Sequence, residues 1–311
     1  MVVLKRPGAT EDDTSGDEQL LLNDQEDVAD DDGRPRPCLI AISGPDSGRT
    51  TSLDQREILI GRSHECDIQI LDRTVSRHHA RLYVISGDVE LFDLDSRDGV
   101  TVNGERAQRC RLAPEDIIRF GRSSSFRFAY VTKAEKDSLQ KLFDLAVRDP
   151  LTGLFNRNYF TTVLDRLLSV TSDRPAAMLM LDLDHFKQVN DSFGHPVGDL
   201  VLAHIANLLA AETRGQDLAA RYGGEEFLML LHNLSLDGGV RVAERIRNTV
   251  ESSPLFAGGE KIAMTVSIGV ASTLEAGGDS RLLVELADRR LAMAKHQGRN
   301  RTCALAVSDP G

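Results

Sequence analysis

Midway along this 311-residue chain the hydrophobic period changes, and one layered domain cannot accommodate both halves. Between residues 38 and 131, short apolar runs recur at 39–43, 57–60, 67–70, 80–85, 89–93, 101–102 and 126–130. Turn residues separate them: Gly44-Pro45, Ser86-Gly87-Asp88, Asp98-Gly99 and Asn103-Gly104. Many short strands with regular turn signals predict an all-β sandwich. From residue 149 to 303, helices and strands alternate. The spacing predicts helices over 158–169, 200–211, 239–250 and 281–296, strands over 176–183 and 262–271, and a hairpin over 218–231. That order predicts an α/β layer fold. Residues 132–148 form the joint. Leu139, Leu142, Phe143 and Ala146 stand at i, i+3, i+4 and i+7 of a helix that Asp149-Pro150 ends. Its apolar stripe suits packing on a neighbouring domain and a dimer seam equally well.

Charge marks off a third region. Residues 1–37 hold eleven acids and four bases, a net of −7 within the −11 of the whole chain. They read as an acidic disordered tail, and residues 304–311 as a short one. An overall basic footprint for nucleic acid is missing, so no nucleic-acid partner is expected. No apolar run approaches the roughly 20 residues of a membrane span, and no signal-peptide core follows Met1. The expected location is cytoplasmic, with no membrane partner. The cysteines, Cys38, Cys66, Cys110 and Cys303, form no CxxC pair and read as reduced thiols. Neither GxGxxG nor a P-loop is present, so those phosphate sites are unsupported.

The chemistry concentrates around Gly223-Gly224-Glu225-Glu226-Phe227, which separates two apolar runs. A Gly-Gly turn between strands reads as a hairpin with two carboxylates at its tip. Alone, such a tip is an ordinary solvated turn. Asp182, at the end of a buried strand, is costly without a cationic partner. Were the hairpin to lie beside that strand, Asp182 and Glu225 would share a divalent cation, the layout for phosphoryl transfer to a hydroxyl. Asp184 suits a helix N-cap. Lys187 offers a cation for phosphate. Asn190 and Asp199 suit guanine, whose N1–H and N2 amine a carboxylate accepts; adenine has no N1–H and would leave Asp199 unpaired. Lys295 and Arg299, i and i+4 about a helix end, suit phosphate or capping of that end.

Five segments then occur in order: Asp149–Arg157, Asp182–Asp191, Arg221–Phe227, Ser267–Ala271 and Ala294–Asn300. Together they closely resemble the GGDEF family of diguanylate cyclases, over about half of the chain. The resemblance implies a palm-like nucleotidyl-cyclase fold and the condensation of two GTP into cyclic di-GMP and two pyrophosphates. It implies Mg²⁺ (or Mn²⁺) held by Asp182, the Leu183 carbonyl and Glu225, with Glu226 assisting at the metals or the 3′-OH. Asn190 and Asp199 would read guanine, and Lys187, Lys295 and Arg299 would bind phosphates. Glu225 stands where many members have Asp, with the same charge. Because the product joins two substrates, two sites must face each other in a homodimer. Arg214 and Asp217 match the family's RxxD product-inhibition site, with Arg245 as a further contact.

In the first half, Arg62, Ser76 and Arg77 on loops are groups able to cradle a dianionic phosphate. With His79 and Asn103-Gly104 they resemble the FHA (forkhead-associated) phosphothreonine-binding domain across residues 38–131. The resemblance implies phosphate contacts from Arg62, Ser76 and Arg77, with His79 and Asn103 structural. Asp98 stands where that family often has Asn, which puts peptide preference in question. Thr10 and Thr14 each have Asp three residues on, making them candidate phosphosites for a Ser/Thr kinase. The peptide would be this tail or a partner protein.

The expectation is a two-domain diguanylate cyclase regulated by phosphothreonine recognition and product feedback. The alternatives are a non-catalytic cyclic di-GMP receptor and a phosphopeptide scaffold. The intact acids and cations of the GTP site argue against the first alternative.

Overall fold

The computed structural model describes residues 33–44, 46–170, 175–214 and 217–304. Thr10 and Thr14, with most of the acidic tail, lie outside the described residues. The chain divides into two compact units, Met1–Phe143 and Asp144–Gly311. None of the described helices is long and apolar enough to cross a membrane.

The described part of the first unit is β-rich up to Val131. Its strands are β1 (Arg36–Ala41), β2 (Thr50–Ser52), β3 (Glu57–Gly61), β4 (Ile68–Gln69), β5 (Ala80–Ile85), β6 (Asp88–Asp93), β7 (Val100–Val102), β8 (Glu105–Arg106), β9 (Arg109–Arg111), β10 (Ile117–Phe120) and β11 (Ser124–Val131). They form sheets of order β2-β1-β11-β10-β7-β8 and β4-β3-β5-β6-β9. Alternation along the strands buries Ile58 and Ile60, Ala80 and Leu82, Val89 and Leu91, Ile118 and Phe120 in one core. Strands β2, β8, β9 and β10 add to those predicted. Each is four residues or fewer, too short to show a period, and is held by pairing.

Helix α1 (Lys133–Val147) starts with a capping box. The Thr132 backbone N–H and hydroxyl donate to Glu135 Oε2 at 2.8 and 2.9 Å, and Glu135 N donates back to the Thr132 hydroxyl at 3.3 Å. Its apolar stripe divides. Leu139 packs on Cys38, Ile40, Ala129 and Val131, and Phe143 is buried, while Leu142 and Leu145 are 65% and 78% exposed.

The second unit holds β12 (Phe155–Asn156), α2 (Arg157–Val170), β13 (Ala176–Leu183), α3 (Phe186–Phe193), α4 (His195–Glu212), β14 (Leu218–Gly223), β15 (Glu226–His232), α5 (Leu236–Ser252), β16 (Leu255–Ala257), β17 (Glu260–Ile262), β18 (Val266–Ser272), α6 (Ser280–His296) and β19 (Thr302–Cys303). Its main sheet runs β12-β14-β15-β13-β18-β19. β13 is central, and all eight of its residues are buried. Ala177, Leu179, Leu181 and Leu183 join the core with residues of α3, α4 and α5. Each such leucine contributes about 2 kcal/mol of apolar burial. Gly269 of β18, paired with Met180, faces α6 so closely that a Cβ would lie 2.0 Å from the Ala287 carbonyl oxygen.

Three local differences from expectation have physical causes. The strand expected over 262–271 is split, because residues 263–265 leave the ladder between β17 and β18. α4 begins at His195 rather than Leu200, since Pro196 in its first turn needs no hydrogen bond there. α3 was not predicted: it spans only eight residues and buries just Phe186 and Val189.

Candidate active site

The register of β13 decides the geometry. β15 pairs antiparallel with β13 so that Asp182 stands directly opposite Glu226, and β14 and β15 form the hairpin whose tip holds Glu225. The hairpin does lie beside the Asp182 strand. Like charges opposed across a ladder repel. Lys295, from the last turn of α6, answers that repulsion: its Nζ lies 2.7 Å from Asp182 Oδ2. Asp182 is 5% exposed. Burial pushes its carboxyl above the usual range; Lys295 opposes the shift, and Glu225 and Glu226 add to it.

The tip is braced from a distance. Arg221 Nε and Nη2 donate to the Gly224 carbonyl at 3.0 and 2.9 Å, and Nη1 lies 3.3 Å from both oxygens of Asp149. Burial acts to raise the Asp149 carboxyl, but bonds from Thr152 and Arg221 outweigh it and hold the group low. Gly224, at φ 52°, takes the left-handed turn position. Neither Arg221 nor Asp149 was singled out from sequence, because an ion pair 72 residues apart has no local signal.

Asp184 is not the helix cap it was expected to be. His185, in the left-handed region, takes that position without a side-chain bond. Asp184 is buried and accepts from the Thr265 and Ser267 hydroxyls at 2.7 Å each and from Asn300 N at 3.0 Å. It ties the end of β13 to the segment after α6. α6 ends at His296, so Arg299 sits beyond the helix, exposed and at φ 62°, rather than one turn above Lys295.

Asn190 lies on α3 and Asp199 on α4, on either side of the α3–α4 junction. The Asn190 Oδ1 packs where Gly198, the residue before Asp199, would carry a Cβ, at 1.9 Å. Lys187 is exposed on α3. Arg214 and Asp217 approach through backbone. Asp217 Oδ2 accepts from Arg214 N at 3.1 Å, and Oδ1 accepts from His232 N at 2.8 Å. Arg245 donates to Glu212 at 2.7 Å.

Asp182, Glu225 and the Leu183 carbonyl offer only oxygen donors, the set that suits Mg²⁺ or Mn²⁺. Two hairpin acids beside a buried Asp fit a dication. Among the described residues no three acidic, His or Cys side chains form a closed metal cage. A hard cation held here would need further oxygens, from water or a phosphate.

The profile described as "Diguanylate cyclase, GGDEF domain" matches residues 146–301, half of the chain. The chain belongs to the GGDEF family. An FHA domain precedes the GGDEF domain, its profile matching residues 58–121. The GGDEF part is 42% identical over 176 residues to response regulator PleD of Caulobacter vibrioides, covering 55% of this chain and 39% of that one. It is 40% identical over 166 residues to diguanylate cyclase A of Treponema denticola, covering 52% and 45%. The chain thus spans about two fifths of the length of these curated relatives. Among solved structures, the coiled coil and GGDEF domain of DgcB from Caulobacter crescentus, in complex with c-di-GMP, matches with TM-score 0.52 at 32% identity, covering 56% of this chain and 93% of that one. Diguanylate cyclase SiaD from Pseudomonas aeruginosa, in complex with its activator SiaC, matches with TM-score 0.51 at 36% identity, covering 56% and 67%.

In the FHA domain, residues 73–77 form the loop on which the phosphate-site candidates hang. Arg62 N donates to the Ser76 carbonyl at 2.9 Å and Arg62 Nε to the Val75 carbonyl at 3.1 Å. Ser63 N donates to the Arg77 carbonyl at 3.0 Å. His79 is fully buried beneath. Its Nδ1 accepts from Ser76 N at 2.9 Å, which leaves Nε2–H to donate to the Gly99 carbonyl at 3.2 Å. Asn103 accepts from Ile117 N at 2.9 Å and donates to Asp116 at 2.8 Å.

Burial lowers the His79 pKa, against smaller raising effects of Gly99, Asp93, Asp98 and Asp72. The neutral ring is the folded form, so its stabilisation is full above the unfolded value of about 6.5 and is lost as pH falls below it. The FHA domain is therefore expected to lose up to about 1.4 kcal/mol per pH unit between pH 6.5 and the lowered value. Hydrogen exchange of the Ser76 amide, followed from pH 7.5 to 5, checks this after correction for intrinsic rates.

Proposed function

We propose that the chain is a diguanylate cyclase that condenses two GTP into cyclic di-GMP and two pyrophosphates across a homodimer. The observation that carries this reading is Asp182: a buried carboxylate opposite Glu226, beside the Glu225 tip, neutralised by Lys295 at 2.7 Å. A buried acid this costly suits a cation-dependent reaction better than a structural role. Family membership and the diguanylate cyclases among its relatives support the same chemistry.

In this reading Asn190 and Asp199 hold the guanine, while Lys187, Lys295 and Arg299 bind phosphate oxygens. Lys295 turns from Asp182 toward the triphosphate when substrate enters. Mg²⁺ held by Asp182, the Leu183 carbonyl and Glu225 would neutralise phosphate charge and acidify the attacking hydroxyl. Glu226 lies beside Asp182 on the ladder and serves the 3′-OH, accepting its proton. The 3′ oxygen forms a bond to the α-phosphorus of the opposing GTP, the bond from that phosphorus to the bridging oxygen breaks, and pyrophosphate leaves. The same exchange with the roles of the two substrates reversed closes the ring. Arg221 and Asp149 keep the tip in register.

The Glu225→Gln variant is expected to fold like the parent and release no pyrophosphate from GTP. Release within tenfold of the parent rate would contradict the assignment. Gly198→Ala reads the guanine contacts separately. Its Cβ would displace the Asn190 carboxamide, a movable side-chain end, and press on the Phe186 ring at 3.2 Å, so melting should fall only slightly. KM for GTP should rise about 10- to 100-fold, the equivalent of one or two lost hydrogen bonds. Steady-state kinetics against GTP and ATP checks both the rise and the loss of base preference.

Product feedback is read at Arg214, with Arg245 as a second contact once it leaves Glu212. Asp217 shapes the turn through Arg214 N and His232 N. The FHA domain is read as the regulatory input, taking a phosphothreonine on Arg62, Ser76 and Arg77. Its peptide comes from a Ser/Thr kinase substrate, either this chain's tail at Thr10 or Thr14 or another protein.

A further inference from the structure

Two consecutive residues after α6, Arg299 and Asn300, stand in the left-handed region at φ 62° and 46°. Asn enters that region readily and Arg does not. Two non-glycine residues there in succession persist only where their surroundings hold them. The hold comes from two elements distant in sequence. On the backbone, Asn300 N donates to Asp184 Oδ2 at 3.0 Å. On the side chain, α5 grips the Asn300 carboxamide. Its Oδ1 accepts from Arg247 Nη1 at 2.9 Å, and its Nδ2 donates to Glu251 Oε1 at 2.9 Å. Both ends of one carboxamide are thus taken by residues one turn apart on a single helix.

Arg247 is itself fixed. Its Nε donates to Glu244 Oε2 at 3.0 Å and its Nη1 to Glu251 Oε2 at 2.9 Å, and its side chain is 16% exposed. The same helix buries Ala243, Ile246 and Val250 in the core. A long cation held between two acids on a core-packed helix is a rigid mount. What it carries has no such support of its own, because residues 297–301 belong to neither helix nor strand. Arg299 N donates to the Ala294 carbonyl at 3.0 Å, and the Arg299 carbonyl accepts from Arg301 Nε at 3.1 Å. The Arg299 side chain is exposed, and its guanidinium has no partner among the described residues. The turn is therefore fully bonded through its backbone and through Asn300, while the one long cation on it is left open to a ligand.

We propose that Arg247 and Glu251 are positioning residues for GTP: acting through Asn300, they hold the left-handed turn that presents Arg299 to the substrate phosphates. The inference rests on the reading of Arg299 as a phosphate-binding residue and adds what aims it. Neither α5 residue touches substrate. With the turn held, binding orders only the Arg299 side chain. With it released, binding must also order the backbone of residues 299 and 300, and affinity for the phosphates falls. The guanine contacts read at Asn190 and Asp199 belong to α3 and α4 and do not depend on this turn.

Titration calorimetry on the full chain with Mg²⁺ tests it. The probe is the GTP analogue with a methylene bridge between the α- and β-phosphorus, which keeps every phosphate but cannot release pyrophosphate. Guanosine, measured by its displacement of the analogue, reports the guanine contacts alone. Arg299→Ala should raise Kd for the analogue about 10- to 100-fold, the loss of a charge-assisted contact. Arg247→Gln and Asn300→Gly should each raise it about three- to tenfold, with guanosine affinity within about twofold of the parent. In an Arg299→Ala background either change should add less than about twofold, since no guanidinium remains to be aimed. Asn300→Gly leaves Arg247 paired with both glutamates and accepts a left-handed φ, so it reads the grip even where Arg247→Gln loosens α5. An unchanged Kd in Asn300→Gly overturns the proposal. So does a rise that multiplies with that of Arg299→Ala, or one that extends equally to guanosine. Arg299→Ala without effect contradicts the phosphate reading beneath the proposal and removes both, as does failure of the parent chain to bind the analogue.

Discussion

Replacing Asp182 with asparagine is expected to abolish cyclic dinucleotide synthesis and yet leave the GGDEF domain as stable as before, or slightly more so. The two effects have one origin. Asp182 is 5% exposed, and burial raises its carboxyl pKa despite Lys295. A carboxyl raised above its unfolded value of about 3.9 makes a contribution that is full below that value and is lost as pH rises through the raised folded value. At neutral pH the ionised group therefore costs stability, and the amide removes that cost. Lys295 is 35% exposed and can reach water once released. The same amide cannot supply the charge that a cation needs, a loss of several kcal/mol of transition-state stabilisation, or about 10³-fold or more in rate. Pyrophosphate release and calorimetric melting on one preparation check the pair. Activity within tenfold of the parent, or a clear fall in melting temperature, would contradict this account of the residue.

The largest expected stability effect is that of Gly269→Ala. The new Cβ would lie 2.0 Å from the Ala287 oxygen, 2.4 Å from Leu291 N and 3.0 Å from the Arg290 carbonyl carbon. All three are backbone atoms of α6, so no side chain can turn away, and the helix itself must shift off β18. α6 is also fastened there by Arg290, which donates to the Val270 carbonyl at 2.8 Å and pairs with Glu275 at 2.6 Å. Overpacking against rigid backbone should cost about 3 kcal/mol, at the upper end for such changes. For a domain of this size that is about 10 °C in melting temperature. Because Lys295 rides on α6, GTP turnover should fall as well. Differential scanning calorimetry that shows the GGDEF transition unmoved would mean that α6 does not approach β18 as described.

Much of the site was legible because it is local. The Gly-Gly hairpin, the apolar run ending at Asp182 and the basic end of α6 each announce themselves within a few residues. That the hairpin adjoins the Asp182 strand was conditional on sequence, and the β13–β15 register supplies it. What escaped is long-range or too short to show a period. Arg221 reaches Asp149 across 72 residues, and Asp184 reaches Thr265 across 81, where the sequence suggested an ordinary helix cap. α3 is too brief for a helical pattern, so the α3–α4 junction that brings Asn190 to Gly198 was not foreseen. In the FHA domain Arg62, Ser76 and Arg77 were picked out through the resemblance to that family. The grip of Arg97 and Arg122 on Asp98 was not, because turns set 24 residues apart make the Arg122 contact.

The reaction is read most plainly from its product. The purified full chain, incubated with GTP and Mg²⁺, should yield cyclic di-GMP by mass spectrometry, with two pyrophosphates released for each product molecule. Absence of any cyclic dinucleotide from folded protein at concentrations where it self-associates, or its undiminished formation by Glu225→Gln, would contradict the account.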